Sequence, residues 1–210
     1  MHVPDGFLSP VITVPALGVA APLWLWAARR HFGAGEVEAL PVVGALTALS
    51  FTVQTLQLPV PGGTSIHVVG LALLALLRGP LLAFACEALV LLLQAILFGA
   101  GGFTVLGVNA LALGLLGPSA AWLAYRGLRG LHERTAVFVA GFLAIQVSAA
   151  AIALVLGLQH ALSPAYFPTP LPVTLAATAL PSLLVAGPLE GLYTVLAFSL
   201  LRRARLHGAT

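Results

Sequence analysis

The chain has 210 residues, of which 60% are hydrophobic and 7% charged, with a formal net charge of +3. A soluble domain carries about 25% charged residues, so this composition excludes an ordinary water-soluble fold and calls for lipid as the solvent. All nine basic residues are arginines: Arg29, Arg30, Arg78, Arg126, Arg129, Arg134, Arg202, Arg203 and Arg205. They punctuate apolar runs instead of building a phosphate-binding face, which excludes a nucleic-acid partner.

The segment MHVPDGFLSP opens the chain, with Asp5 and no Lys or Arg. A signal peptide begins with a positive stretch. None is apparent here, and the mature chain is expected to start at or close to Met1. Apolar spans are then predicted over 9–29, 37–56, 66–78, 80–98, 104–125, 135–158 and 173–201. Most supply the roughly 20 residues that cross a bilayer. The predicted fold class is all-α, a single transmembrane domain over 1–210 built as a bundle of about seven helices. Arg29 and Arg30 close the first span and place its far end in the cytoplasm, so the N-terminus lies outside. Seven crossings then bring every other arginine inside, with the C-terminus. Trp24, Trp26, Trp122 and Tyr125 fall near the same ends, as interfacial aromatics do. Ala16/Ala20 and Gly44/Ala48 are spaced for close helix approach, which serves either packing inside the bundle or docking of a partner.

The third span is short. From Ile66 to Arg78 a helix would be about 20 Å long, against a hydrocarbon core of about 30 Å. Before it stands Leu58-Pro59-Val60-Pro61-Gly62-Gly63, which cannot be regular helix. Irregular backbone at membrane depth survives only where protein buries it or where it lines a cavity. His67 is therefore expected below the outer surface, facing a pocket. Gly99-Ala100-Gly101-Gly102 and the proline-rich stretch from His160 to Pro172 also fall on the outer side. That face, where a substrate would enter, carries the elaborate connections.

Of six histidines, His31, His132 and His207 are predicted inside beside arginines, and His2, His67 and His160 outside. His2 has a property that no internal histidine has. With a free α-amine on Met1, the amine, the His2 amide nitrogen and His2 Nδ1 can chelate one ion in fused five- and six-membered rings. Planar nitrogen sites suit copper(II) or nickel(II), and His67, descending from the same side, can supply the fourth nitrogen. By itself a histidine at position 2 implies nothing. Ser65, Gln94, Thr104 and Asn109 are candidates either to orient such ligands or to bond helix to helix. Glu87 and Glu190 lie mid-span, away from this outer site, and are expected to bond between helices or meet a partner. Cys86 in an apolar run is expected to be a small buried hydrophobe. With no lysine there is no P-loop lysine, so energy for any uptake comes from a partner or an ion gradient. No HExxH or GxSxG pattern supports a protease or hydrolase. A solo secondary transporter or channel is the alternative, with only Glu87 and Glu190 as a relay.

These residues resemble the CbiM/NikM substrate-binding components of energy-coupling-factor transporters for nickel and cobalt. The resemblance rests on MHVPDGFLSP, on GGTSIHVVG with Gly63, Ser65 and His67, on LLLQAILFGAGGFTVLGVNALALGLLGP from Leu91 to Pro118, and on EGLYT at Glu190. It covers essentially the whole chain. It implies a non-catalytic capture subunit in a prokaryotic cytoplasmic membrane, with nickel(II) or cobalt(II) as transported substrate. The implied ligands are the Met1 amine, the His2 amide and imidazole, and His67. The implied partners are a membrane coupling subunit and two cytoplasmic ATPase subunits, with room for a small accessory membrane subunit. Ala100 stands where members often carry a polar residue, frequently His. The residues do not decide nickel from cobalt; planar nitrogen ligation tilts toward nickel.

Overall fold

The computed structural model describes residues 2–33, 40–60, 64–70, 72–130 and 132–207, with the side chains of 58–60, 64–66 and 204–207 left aside. Met1 and the Pro61-Gly62-Gly63 turn lie outside the described residues, and so does the side chain of Ser65.

Helix α1 (Pro10–Phe32) and α2 (Leu40–Thr55) lead to two three-residue strands, β1 (Leu58–Val60) and β2 (Thr64–Ile66). The strands pair antiparallel with Pro59 opposite Ser65. This small ladder is the irregular backbone that the prolines predicted, satisfied strand to strand instead of by helix. Helix α3 (Ala72–Arg78) is a short stub, and α4 (Pro80–Phe98) follows directly. Next, α5 (Leu106–Asn109) passes through a π-helical stretch, Ala110–Leu116, into α6 (Gly117–Leu128). Helix α7 (Glu133–Leu162) is the longest single helix, at 30 residues. Last, α8 (Leu171–Pro181) runs through a second π stretch, Ser182–Ala186, into α9 (Gly187–His207). Counting each interrupted helix as one rod, the described residues form seven rods, but the predicted third span, 66–78, is helical only over the seven residues of α3. Five of these rods are long and apolar enough to cross a membrane, while α2 is shorter and apolar.

Both π stretches have one local cause. Each ends in Gly-Pro, Gly117-Pro118 and Gly187-Pro188. Proline has no N–H for the carbonyl four residues back, so the turn before it widens to the i→i+5 pattern. Gly117 N–H bonds Ala112 O, and Gly187 N–H bonds Ser182 O. Helix α7 secures both: Ser148 Oγ donates to Ala112 O (3.0 Å) and Gln146 Nε2 donates to Ser182 O (2.9 Å). A side chain on either glycine would strike those same groups.

Hydrogen bonds from chain segment to chain segment fix the direction of the rods. Val3, Ser9, Gly101, Asn109 and Gln159 meet at one end of the bundle. At the opposite end Arg202 pairs with Glu133, and Arg126 lies over the Trp122 ring at 4.4 Å. Arg29, Arg30 and Arg78 close α1 and α3 at that end too. Exposed apolar residues crowd the outside of the bundle, with Val11 71%, Leu184 73% and Leu192 60% exposed. A surface that apolar is stable against lipid or a partner, not water. The two small-residue pairs separate. Gly107 approaches Ala16 and Leu17 so closely that a Cβ there would lie 2.5 Å from Leu17 N, so the Ala16 stretch packs within the bundle. Gly44 and Ala48 stay exposed.

Candidate metal site

The segment before α1 has no regular structure of its own, and side chains from elsewhere hold its backbone. Val3 N–H donates to Asn109 Oδ1 and Asn109 Nδ2 donates to Val3 O, both at 3.0 Å. The Val3 side chain is buried with Leu8, Val105, Val108 and Ile152. Asp5 accepts from Phe103 N–H (3.1 Å), Thr104 N–H (2.9 Å) and Thr104 Oγ1 (2.5 Å). Burial raises the Asp5 pKa, but these hydrogen bonds outweigh it and hold the carboxyl below the ordinary range. Gly102 has φ +119°, and any side chain there would run into the Asp5 carboxylate. Ser9 donates from N–H (2.7 Å) and Oγ (2.8 Å) to Gln159 Oε1. Positions 3, 5 and 9 are thus fastened to α5, to the 99–105 loop and to α7.

This clamped segment presents His2 to His67. The two imidazole rings stack with centroids 4.9 Å apart and planes 28° apart. Gly101, at φ +83°, backs them so closely that a Cβ would lie 3.5 Å from His2 Cβ and 3.2 Å from Asn109 Nδ2. His2 Nε2 is buried with no hydrogen-bond partner among the described residues. Burial first, and then the neighbouring His67, push the His2 pKa well below its ordinary value. The ring stays neutral, the form that binds metal. His67 is 3% exposed, and its Nδ1 lies 3.4 Å from Val68 O. A proton on Nδ1, aimed at that carbonyl, leaves the lone pair on Nε2. Among the described residues no three His, Cys, Asp or Glu side chains converge.

The other candidates divide between the two expected roles and a third. Asn109 acts through the backbone next to His2. Thr104 serves Asp5, and Gln94 Nε2 donates to Gln54 Oε1 (3.3 Å). His160 Nδ1 lies 3.2 Å from Phe167 O, away from the two rings. Cys86 is buried as expected. One expectation needs correcting. Glu190 is not remote from the site: Oε2 accepts from Val69 N–H (2.7 Å) and Oε1 from Gly70 N–H (2.9 Å), two and three residues after His67. Glu87 bonds across helices as expected, its Oε2 3.0 Å from Gln54 Nε2. The sequence reading missed Ser50 and Gln54, whose side chains donate to Val69 O, the latter at 3.1 Å.

An apolar bundle with five rods long enough to cross a membrane, and with two imidazoles in contact at one end, defines a multi-pass membrane protein. The chain belongs to the CbiM family, described as the cobalt uptake substrate-specific transmembrane region, whose profile matches residues 2–207. It is 36% identical to the probable fused nickel transport protein LarMN of Lactiplantibacillus plantarum, over 97% of this chain and 65% of that protein. It is equally identical to the fused nickel transport protein NikMN of Rhodobacter capsulatus, over 92% of this chain and 59% of that one. The chain thus spans less than two thirds of either fused relative. A putative metal transport protein of Methanocaldococcus jannaschii is 33% identical over 98% of this chain and 93% of its own length. Among solved structures, a truncated transition metal transporter superposes with a TM-score of 0.91 at 32% identity, covering 97% of this chain and 99% of that one.

Proposed function

We propose that this chain is the substrate-capture subunit of an ATP-driven energy-coupling-factor importer, and that it binds nickel(II) or cobalt(II) at the outer face of a prokaryotic cytoplasmic membrane. The observation that carries the reading is the contact of His2 with His67, 65 positions apart in sequence, inside one closed end of the bundle. Two imidazoles alone hold a divalent ion weakly. The Met1 amine and the His2 amide complete four nitrogens in a plane, and that donor set favours nickel. The first two relatives named above, both fused nickel transport proteins, lean the same way.

Binding then proceeds by proton loss. The amine and the amide each give up a proton as the ion enters, while the buried imidazoles arrive neutral. Asn109 and Asp5 fix the peptide units that follow His2, so little ordering entropy is left to lose on binding. The chain does no catalysis. It has no lysine for a P-loop, so ATP hydrolysis falls to two cytoplasmic ATPase subunits, joined through a membrane coupling subunit.

An extension of one residue before Met1 tests the chelate. It displaces the amine and opens the five-membered ring, so nickel affinity falls severely, as it does for His2→Ala and His67→Ala, while a C-terminal tag is harmless. An extended protein that binds nickel with unchanged affinity refutes the amine–amide chelate even if both histidines prove essential. Co-purification of ATPase subunits separates the importer from a solo transporter.

A further inference from the structure

We propose that Glu190 is a positioning residue for metal capture, setting the place of the His67 imidazole by gripping the backbone two and three residues after it; this rests on the capture reading above. His67 sits on neither a helix nor a strand: residues 67–70 are a loop between β2 and α3. A loop can present a ligand within a fraction of an ångström only if other groups lock it. Here three backbone groups are locked. Val69 N–H and Gly70 N–H go to the two oxygens of Glu190, at 2.7 and 2.9 Å. Val69 O receives Ser50 Oγ and Gln54 Nε2 from α2. Gly70 takes φ +80°, and a Cβ there would lie 3.3 Å from the Tyr193 ring of α9. Glu190 itself is fully buried. The described arginines of α1, α3, α6 and α9 all lie toward the other end of the bundle, so the grip on Glu190 comes from N–H donors and not from an ion pair.

The arrangement mirrors the one at His2. Each histidine is followed closely by a peptide segment held at both its N–H and C=O sides, Val3 by Asn109 alone and Val69–Gly70 by Glu190 with Ser50 and Gln54. Neither clamp belongs to the helix nearest the ligand in sequence. Replacing Glu190 by Gln keeps the shape but turns one acceptor into an NH2 facing an N–H. One bond is lost and one repulsion is gained, so the loop shifts and His67 leaves the metal plane.

Nickel(II) titration and the ligand-field absorption of the nickel-saturated protein test this on the purified full chain. His67→Ala sets the reference spectrum for a site lacking the fourth nitrogen. Glu190→Gln should weaken nickel binding about 10- to 100-fold, the usual effect of removing a group that orients a ligand. Its spectrum should move to that of His67→Ala. In the His67→Ala background, Glu190→Gln should cost less than twofold, because the two act through one ligand. A Glu190→Gln protein that melts lower but keeps the wild-type spectrum, or whose loss multiplies with that of His67→Ala, overturns the assignment and leaves Glu190 purely structural. If the Gln variant does not fold, Glu190→Asp, which reaches only one N–H, is read by the same spectrum and the same cycle. Wild-type binding by His67→Ala itself would overturn the capture reading and this assignment with it.

Discussion

Asn109→Leu should impair nickel capture without touching a metal ligand. The variant keeps the branched outline of Asn109 but removes both 3.0 Å hydrogen bonds to Val3. Val3 is 1% exposed and Asn109 2%, so no water replaces them. Stranding a buried N–H and a buried C=O costs about 1–3 kcal/mol each. The segment can escape that cost by peeling away, which forfeits the burial of Val3, worth about 1.5–3 kcal/mol. The binding-competent form carries the first cost, about 4 kcal/mol at mid-range for the two groups, and the peeled form only the second, about 2 kcal/mol, so the competent form lies about 2 kcal/mol above the peeled one. Asp5 and Ser9 still hold the chain beyond, so the disorder is confined to its first few residues, where His2 is. A binding-competent form that has become rare lowers apparent affinity by its population. At about 1.4 kcal/mol per factor of ten, the expected loss is about 30-fold. Calorimetric titration of nickel(II) into detergent-purified protein with a native N-terminus measures it, and a melting curve on the same sample checks folding. A folded Asn109→Leu protein that binds nickel within twofold of wild type would show that the clamp on Val3 does not organise the site.

Three further outcomes follow from the same geometry. Nickel binding at pH 7 should release about two protons, one from the amine and one from the amide; calorimetry in buffers of different ionisation enthalpy reads the number, and a value near zero means ligation by imidazoles alone. The Asp5 carboxyl is held below its ordinary range by its hydrogen bonds, so its stabilising contribution is complete above the unfolded value of about 3.9 and is lost as pH falls through the folded value; melting temperature should drop more steeply on acidification for the native protein than for Asp5→Asn, and equal slopes would remove Asp5 as the cause. A C-terminal reporter active only outside the cytoplasm should stay silent, because α9 ends among the arginines; a signal from it would invert the orientation of the bundle.

The rods were legible because arginines and prolines mark their ends: Arg29-Arg30 and Arg78 stop α1 and α3, and Gly79-Pro80 starts α4. The pairing of His2 with His67 was legible because the chelating chemistry of a second-position histidine is local, and because the short third span left His67 only one place to go. What holds the two rings in place was not. Glu190 and Asn109 both bond to backbone groups more than 100 positions away. A backbone N–H leaves no mark in a sequence, so nothing at Val69 or Val3 announces its partner. The sequence leaves Thr104 open between orienting a ligand and bonding helix to helix, and its hydroxyl serves Asp5; a short polar side chain near a site looks the same in sequence whichever neighbour it meets. Ser50 and Gln54 passed as ordinary polar residues in an apolar helix for that reason.

The two Gly-Pro steps constrain how this chain can vary over time. Each π stretch carries one more residue than an α-helix would need for the same advance, and each lies near a residue that grips the backbone beside a histidine: Asn109 directly precedes the first, and Glu190 comes four residues after the second. Losing the extra residue from either stretch would restore α-helical winding and leave the helix beyond it in phase, because the widened turn already absorbs one residue. A single-residue insertion or deletion elsewhere in these rods has no such turn to absorb it and would rotate everything beyond it by about 100°. The π stretches are therefore where these rods can change length by one residue; anywhere else the same step would turn the His2–His67 end against the arginine-bearing end.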